Sequence, residues 1–391
     1  MLYKHNQTEN LEDSLFQNPS SEYRGAPFWA WNCVLDEEQL MRQIGYLQEM
    51  GFGGFNMHCR TGMATEYLSQ EFFQLVRDCT REAQKRGMLA WTYDEDRWPS
   101  GAAGGLVTKE KKFRARHLLF TPFLKETNEN RKLLGAYNVV LDGEGYLARY
   151  ARVAGKDAAA VKPRKVVFAA ENVTAGYETK ERWYAYLELS EETPWHNNQT
   201  YVDTLNKKAI EQFCRITHER YYEAVGDHFG RTVPAIFTDE PQFTSKKTLA
   251  YAKEKADVSL PWTDDLEETF REAYGEDLMG GVPELFWDRA DGKPSVLRYH
   301  YHAHISDRFA ESFAHTLGQW CEGHGLMLTG HMMEEPTLKS QTAALGEVMR
   351  SLSYFQLPGI DMLCDRREYT TAKQAQSVSH QYGREGVLSE L

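Results

Sequence analysis

The sequence predicts an α/β fold: a (β/α)8 TIM-type barrel over residues 1–391 that stops after its seventh strand. Three observations predict it. Strand-like apolar runs alternate with amphipathic stretches that end on glycine, the pattern of parallel strands joined by helical crossovers. A doubly wound sheet shares that alternation, but the first strand–helix junction carries no GxGxxG. Finally, each early strand ends on polar or charged residues, where barrel enzymes build their active sites.

The elements follow in order. "PFWAW" (27–31) is the first strand, and Trp31 and Asn32 stand at its end. The helix after it has Leu40, Ile44, Leu47 and Met50 at helical spacing, Asp36 as a cap and Gly51 as a stop. "GGFNMH" (53–58) is the second strand, closed by His58 and Arg60. A second amphipathic helix (69–87) again ends on glycine, and "MLAWTYD" (88–94) is the third strand. Short β-type runs from about 113 to 190, "KVVFAAENV" among them, read as an antiparallel insertion with a hairpin turn at "LDGEG". A helix over 201–230 leads to the fourth strand, "VPAIFTDEP" (233–241). A helical insertion is expected over about 242–295, then a long helix (297–323) and the fifth strand, "LMLTGH" (326–331). "GIDML" (359–363) and "GVLSEL" (386–391) are the sixth and seventh strands. Seven strands do not close a barrel, so the sequence reads as a fragment of a longer protein.

Composition narrows the function. A net charge of -12 argues against a nucleic-acid partner, because phosphate binding needs clustered Lys and Arg. The first 25 residues hold no apolar run, so neither a signal peptide nor a membrane span is read there and the expected location is cytoplasmic. The six cysteines show no zinc spacing. Aromatic residues reach 13%, enough for a large aromatic core or for surfaces on which sugars stack.

Two carboxylates at strand ends carry the candidate chemistry. Glu240, beside Asp239, ends the fourth strand, and Glu390 ends the seventh. Two carboxyl groups across a glycosidic bond suffice for glycoside hydrolysis: one protonates the leaving oxygen and the other attacks or activates water. In "WTYDEDRWPSG" (91–101), Asp94 and Glu95 can accept sugar hydroxyls or hold a hard cation such as Ca²⁺, while Trp98, Trp31 or Trp29 offers an apolar platform. His58 and His331 are candidate hydroxyl contacts; Asp239, Asn32, Arg60, Glu334 and Asp361 complete the substrate-binding set, with Glu335 a weaker candidate. No residue is assigned to a metal, and no cofactor is expected beyond that Ca²⁺.

"PFWAWN", "MGFGGFNMHCRTG" and "WTYDEDRWPSG" together resemble a group of bacterial glycosidase-like proteins related to the α-L-rhamnosidases of glycoside hydrolase family 106. The resemblance is clearest over strands 1 to 3. It implies an exo-glycosidase, and longer chains with β-sandwich domains after the barrel. The placement of Glu240 and Glu390 is also similar to the large clan of (β/α)8 glycosidases, whose strand-4 Glu, in "NEP", is acid/base and whose strand-7 Glu is the nucleophile. This sequence has "DEP", with Asp239 where that clan has Asn, which leaves open an inverting, family-106-like mechanism with bound calcium. Two other readings stand beside it. One is a metal-dependent barrel lyase or isomerase with His58, Asp94, Glu240 and His331 as ligands; the other is a non-catalytic carbohydrate-binding barrel. The expected partner in the first and last readings is a carbohydrate.

Overall fold

The computed structural model describes residues 2–3, 10, 12–153, 181–362 and 368–391. Its strands are β1 (Phe28–Trp31), β2 (Gly54–Cys59), β3 (Leu89–Tyr93), β4 (Arg116–Thr121), β5 (Arg131–Leu141), β6 (Leu147–Val153), β7 (Glu181–Leu189), β8 (Ala235–Thr238), β9 (Val258–Pro261), β10 (Met327–Gly330), β11 (Leu357–Asp361) and β12 (Leu388–Glu390). Seven of them form one parallel sheet in the order β1-β2-β3-β8-β10-β11-β12. The sheet is curled. Phe28 on β1 and Phe237 on β8 lie three strands apart, about 14 Å in a flat sheet, yet their ring centroids are 5.0 Å apart. The central strands are apolar because they are covered on both faces; β2 is buried at every position, whereas the edge strands β1 and β12 are partly exposed.

Local chemistry sets the helices between the strands. Asp36 and Ser69 accept the N–H groups of Gln39 and Phe72 and so start the helices Glu37–Glu49 and Gln70–Arg86. Gly87, at φ 65, ends the second in the left-handed conformation. The helix expected over 201–230 begins only at Lys207 and breaks at Thr217 into Lys207–Ile216 and His218–Val225. The Thr217 hydroxyl bonds back to the Phe213 carbonyl and also meets His218 Nδ1, a side-chain bond that competes with the helical ladder. The long helix is present as Val296–Phe309 and Thr316–Gly323, joined by a π-helical turn at Ala310–His315. Two short helices, Leu338–Ala344 and Val348–Leu352, stand between β10 and β11 where none was expected.

The second layer is a five-stranded antiparallel sheet in the order β6-β5-β7-β4-β9. Four of its strands come from the insertion after β3. The fifth, β9, comes from the segment after β8 that was expected to be helical, and it pairs with β4 from His117↔Pro261 to Phe120↔Val258. That segment also carries the helix Leu266–Tyr274. The two insertions therefore build one sheet. The expected strand "KVVFAAENV" lies outside the described residues. Among the described residues no helix is long and apolar enough to cross a membrane.

Candidate active site

Five strands, β2, β3, β8, β10 and β12, deliver side chains from their carboxyl ends to one point. Asp239, just past β8, is the hub. The Tyr93 hydroxyl donates to its Oδ2 at 2.7 Å, and His58 Nε2 stands 3.9 Å from the same oxygen. His331 Nε2 lies 3.3 Å from Asp239 Oδ1 and 2.9 Å from Glu390 Oε2. Burial alone would raise the Asp239 carboxyl, but His331, His58 and Tyr93 outweigh it and hold the group well below the usual carboxylate range. Burial would likewise lower His331; its bonds to Asp239 and Glu390 overrule that and hold the imidazole protonated well above its ordinary pKa.

Glu240, the next residue, goes the other way. Burial first, then the Asp239 charge, push its carboxyl up to about 7, although His331 pulls it down. Its φ of 47° places it in the left-handed region, a conformation that costs a non-glycine residue about 1 kcal/mol or more. One ligand-type atom from each of Glu240, His331 and Asp361 lies within 4.8 Å of the others, and the same holds for Asp239, His331 and Glu390. Carboxylates from the end of β8 (Asp239, Glu240) and from β11 and β12 (Asp361, Glu390) thus gather about His331. Adjacent acids with pKa values pushed apart are the arrangement in which one group is a proton donor and its neighbour a fixed charge.

Several supports come from residues that sequence reasoning did not place in the site, Tyr93 and Ser100, or ranked low, Glu335. Tyr93 fixes Asp239. Ser100 clamps it from the β3 loop: its N–H donates to the Asp239 carbonyl at 2.8 Å, and its Oγ accepts the Asp239 N–H at 2.9 Å. Glu335, a weaker candidate, is buried, accepts the N–H groups of Met332 and Asp361, and is pushed by burial up to about 7. Gly330 lets β10 close on β8; a Cβ there would sit 1.9 Å from the Thr238 carbonyl oxygen. Only Tyr93 had a readable signal, since it precedes Asp94 on a buried strand.

Other expected residues go elsewhere. Trp31 is 1% exposed and packs edge-on against Trp29 and Phe72, so it is a core ring and not a sugar platform. The Glu95 carboxylate accepts five backbone N–H groups, from Asp96 and from Gly101 to Gly104, and has no oxygen left for a substrate. Burial pushes it up to about 7 while those donors pull it down. Asp94 is fully buried; it accepts the Ser100 hydroxyl at 2.6 Å, and burial raises its carboxyl well above the usual range. Neither acid is open to a substrate or a cation. Asn32, Arg60 and Glu334 are exposed, and no hydrogen bond or ion pair among the described residues ties their side chains to the cluster. Trp98 is 37% exposed and stands against Trp195, with centroids 5.1 Å apart.

Comparison with known proteins bears on the fold. No family model matches the chain, and no curated protein does. Among solved structures, a rhamnosidase from Novosphingobium sp. PP1Y matches with a TM-score of 0.61 and 12% identity over 96% of this chain and 52% of that one. A trehalulose synthase variant matches at a TM-score of 0.27 and 12% identity, over 93% of this chain and 55% of that one. The chain thus spans about half the length of either protein. At this identity the first match carries the architecture alone: the chain shares the fold of part of a rhamnosidase.

Proposed function

We propose that the chain is the core of a glycoside hydrolase, with its parallel sheet forming the wall of a (β/α)8-type barrel and Glu240 acting as general acid. The observation that carries this is the pair Asp239–Glu240: a carboxyl pushed up to about 7 next to one held ionised, with Glu390 and Asp361 across His331. A carboxyl poised near neutrality is protonated often enough to donate and acidic enough to do so readily. Glu240 gives its proton to the glycosidic oxygen as the C–O bond breaks. Glu390 attacks the anomeric carbon or removes a proton from the water that does, and water completes the exchange. Asp239, held by His58, His331 and Tyr93, accepts a sugar hydroxyl. The rhamnosidase likeness and the family-106-like motifs favour an α-L-rhamnoside or a related deoxyhexoside.

Glu240→Gln tests this. The amide keeps the volume and cannot cycle a proton, so turnover of an unactivated glycoside falls by about 10² to 10⁴ while the fold stays intact. Turnover near the parent rate removes Glu240 from the role of acid.

One observation favours a second reading, a metal at the same point: both three-residue groups share His331 and are otherwise carboxylates. The carboxylates of that set, without the imidazole, suit a hard cation such as Ca²⁺. When bound, such an ion would supply a fixed charge that orients sugar hydroxyls, with Asp239, Glu240, Asp361 and Glu390 as the oxygen donors. Metal analysis of the purified chain, with turnover before and after chelation, separates the two readings.

A further inference from the structure

A recess opens between the segments that follow β3 and β8. It has a volume of about 390 Å³ and is lined by Trp98, Trp195, His196, Tyr201, Gln242 and Thr244, among others, within the size range of small-molecule sites. Trp98 and Trp195 are each 37% exposed, unusual for the two largest side chains on one wall. They meet at 55°, and the Trp195 indole N–H donates to the Trp98 carbonyl at 2.7 Å, so the wall is fixed. The recess is anchored to the acid from both ends. Ser100, two residues past Trp98, is hydrogen-bonded to Asp239, and Gln242 lies two residues past Glu240. The Tyr201 hydroxyl ties the halves together, donating to the Ser100 carbonyl at 2.6 Å and accepting the Gln242 N–H at 3.4 Å.

Topology gives the recess a side. It is built from the loops after β3 and β8, whereas Asp361 and Glu390 belong to β11 and β12, beyond β10 in the sheet order. In the sheet order β8, whose end carries Glu240, thus lies between β3 and the strands that carry Asp361 and Glu390. We infer that the recess is the leaving-group subsite of the proposed hydrolase, taking a group with one flat apolar face and a polar edge. The indole wall meets the flat face; Gln242, Thr244 and His196 meet the edge. An aromatic aglycone and a second pyranose share that chemistry. The assignment rests on Glu240 being the acid, because the group that an acid protonates must lie on the acid's own side.

The test measures binding, apart from turnover, to the full chain carrying Glu390→Gln, which lacks the attacking carboxylate, so that even probes with an activated leaving group are not consumed. Three probe sets carry the same non-reducing sugars, L-rhamnose among them: methyl glycosides, 4-nitrophenyl glycosides and disaccharides. Ligand-observed NMR is expected to show contact to the aryl ring or to the second sugar, and affinity about tenfold above that of the methyl glycoside. Adding Trp195→Ala is expected to erase the tenfold gain and leave the methyl glycoside unchanged; Trp195→Phe restores most of it. A gain only with nitrophenyl probes assigns an aromatic aglycone, and a gain only with disaccharides assigns a saccharide. Equal affinity across the three sets, or a gain that survives Trp195→Ala, overturns the subsite. Failure of the acid assignment shows separately, as undiminished turnover by Glu240→Gln.

Discussion

Asp94-Glu95 and Asp239-Glu240 follow neighbouring parallel strands, β3 and β8, and both pairs are acidic residues set just past a buried apolar run. One pair is absorbed into the scaffold and the other is left poised. The chain that comes next makes the difference. After Glu95 runs "DRWPSGAAGG", whose small residues fold back and aim consecutive N–H groups at one carboxylate. After Glu240 comes Pro241, which has no N–H to offer. A strand-end acid is open to chemistry only when the following loop does not use it as its own hydrogen-bond acceptor.

Exchanging acid for amide at both places sharpens this contrast most. Glu240→Gln acts on turnover, as above, and leaves melting nearly unmoved. His331→Gln is expected to act on both. It strips a buried Asp239 of its cation, which costs about 3–5 kcal/mol, and turnover falls with the lost stability. Chemical denaturation checks it; an unchanged midpoint would mean that His331 is neutral in the folded chain.

Glu95→Gln is expected to reverse the Glu240 pattern. It places an amide N–H₂ among five backbone donors and costs about 2–3 kcal/mol of stability. Any loss of turnover follows from loosening the Trp98–Ser100 loop. If this variant melts like the parent and loses activity outright, the roles of the two pairs are the reverse of those described.

The pH response separates them further. Asp239 is held below its ordinary value of 3.8, so its contribution to stability is present above that value and is lost as the pH falls through its lowered pKa. His331 is raised above 6.5, so its contribution is present below 6.5 and is lost as the pH rises through its raised pKa. Activity is expected to fail on the alkaline side as well. With Glu240 at about 7 as the acid, kcat/KM for an unactivated substrate falls by about tenfold per pH unit above that point. A flat profile from neutral to alkaline pH removes Glu240 as a proton donor.

The smallest effect is expected from Asp94→Asn. Burial already favours the uncharged acid at this position, and the amide matches it in shape. Stability and turnover stay within about 1 kcal/mol of the parent. A large loss would mean that Asp94 carries a charge that the cluster needs.

How much of this was legible in the sequence depended on distance along the chain. The parallel strands could be read because burial on both faces makes each a continuous apolar run, and strand-end position pointed to His58, Asp239, His331 and Glu390, which meet in space. The fate of Glu95 could not be read, because a cradle of N–H groups is a backbone conformation and not a residue pattern. Trp31 misled for a related reason: a Trp at a strand end looks the same whether it faces a ligand or packs edge-on against Phe72. β9 was missed because "VSLP" is too short to stand out, and only its pairing with the distant β4 makes it a strand.

That pairing bears on how the chain acquires its structure. β4 leaves the ribosome long before β9, and β8 and its flanking helices lie between them. Until residue 261 has been made, β4 keeps one edge without its final neighbour. Bringing the two together closes a loop of more than a hundred residues, the kind of non-local contact that slows folding. The antiparallel sheet can be completed once β9 has been made, while β10, β11 and β12 of the parallel sheet are still to come, and its completion draws together the segments that follow the β3 and β8 loops. Synthesis passes through an interval with a bare strand edge, in which a chaperone or a second nascent chain competes for the place that β9 finally takes.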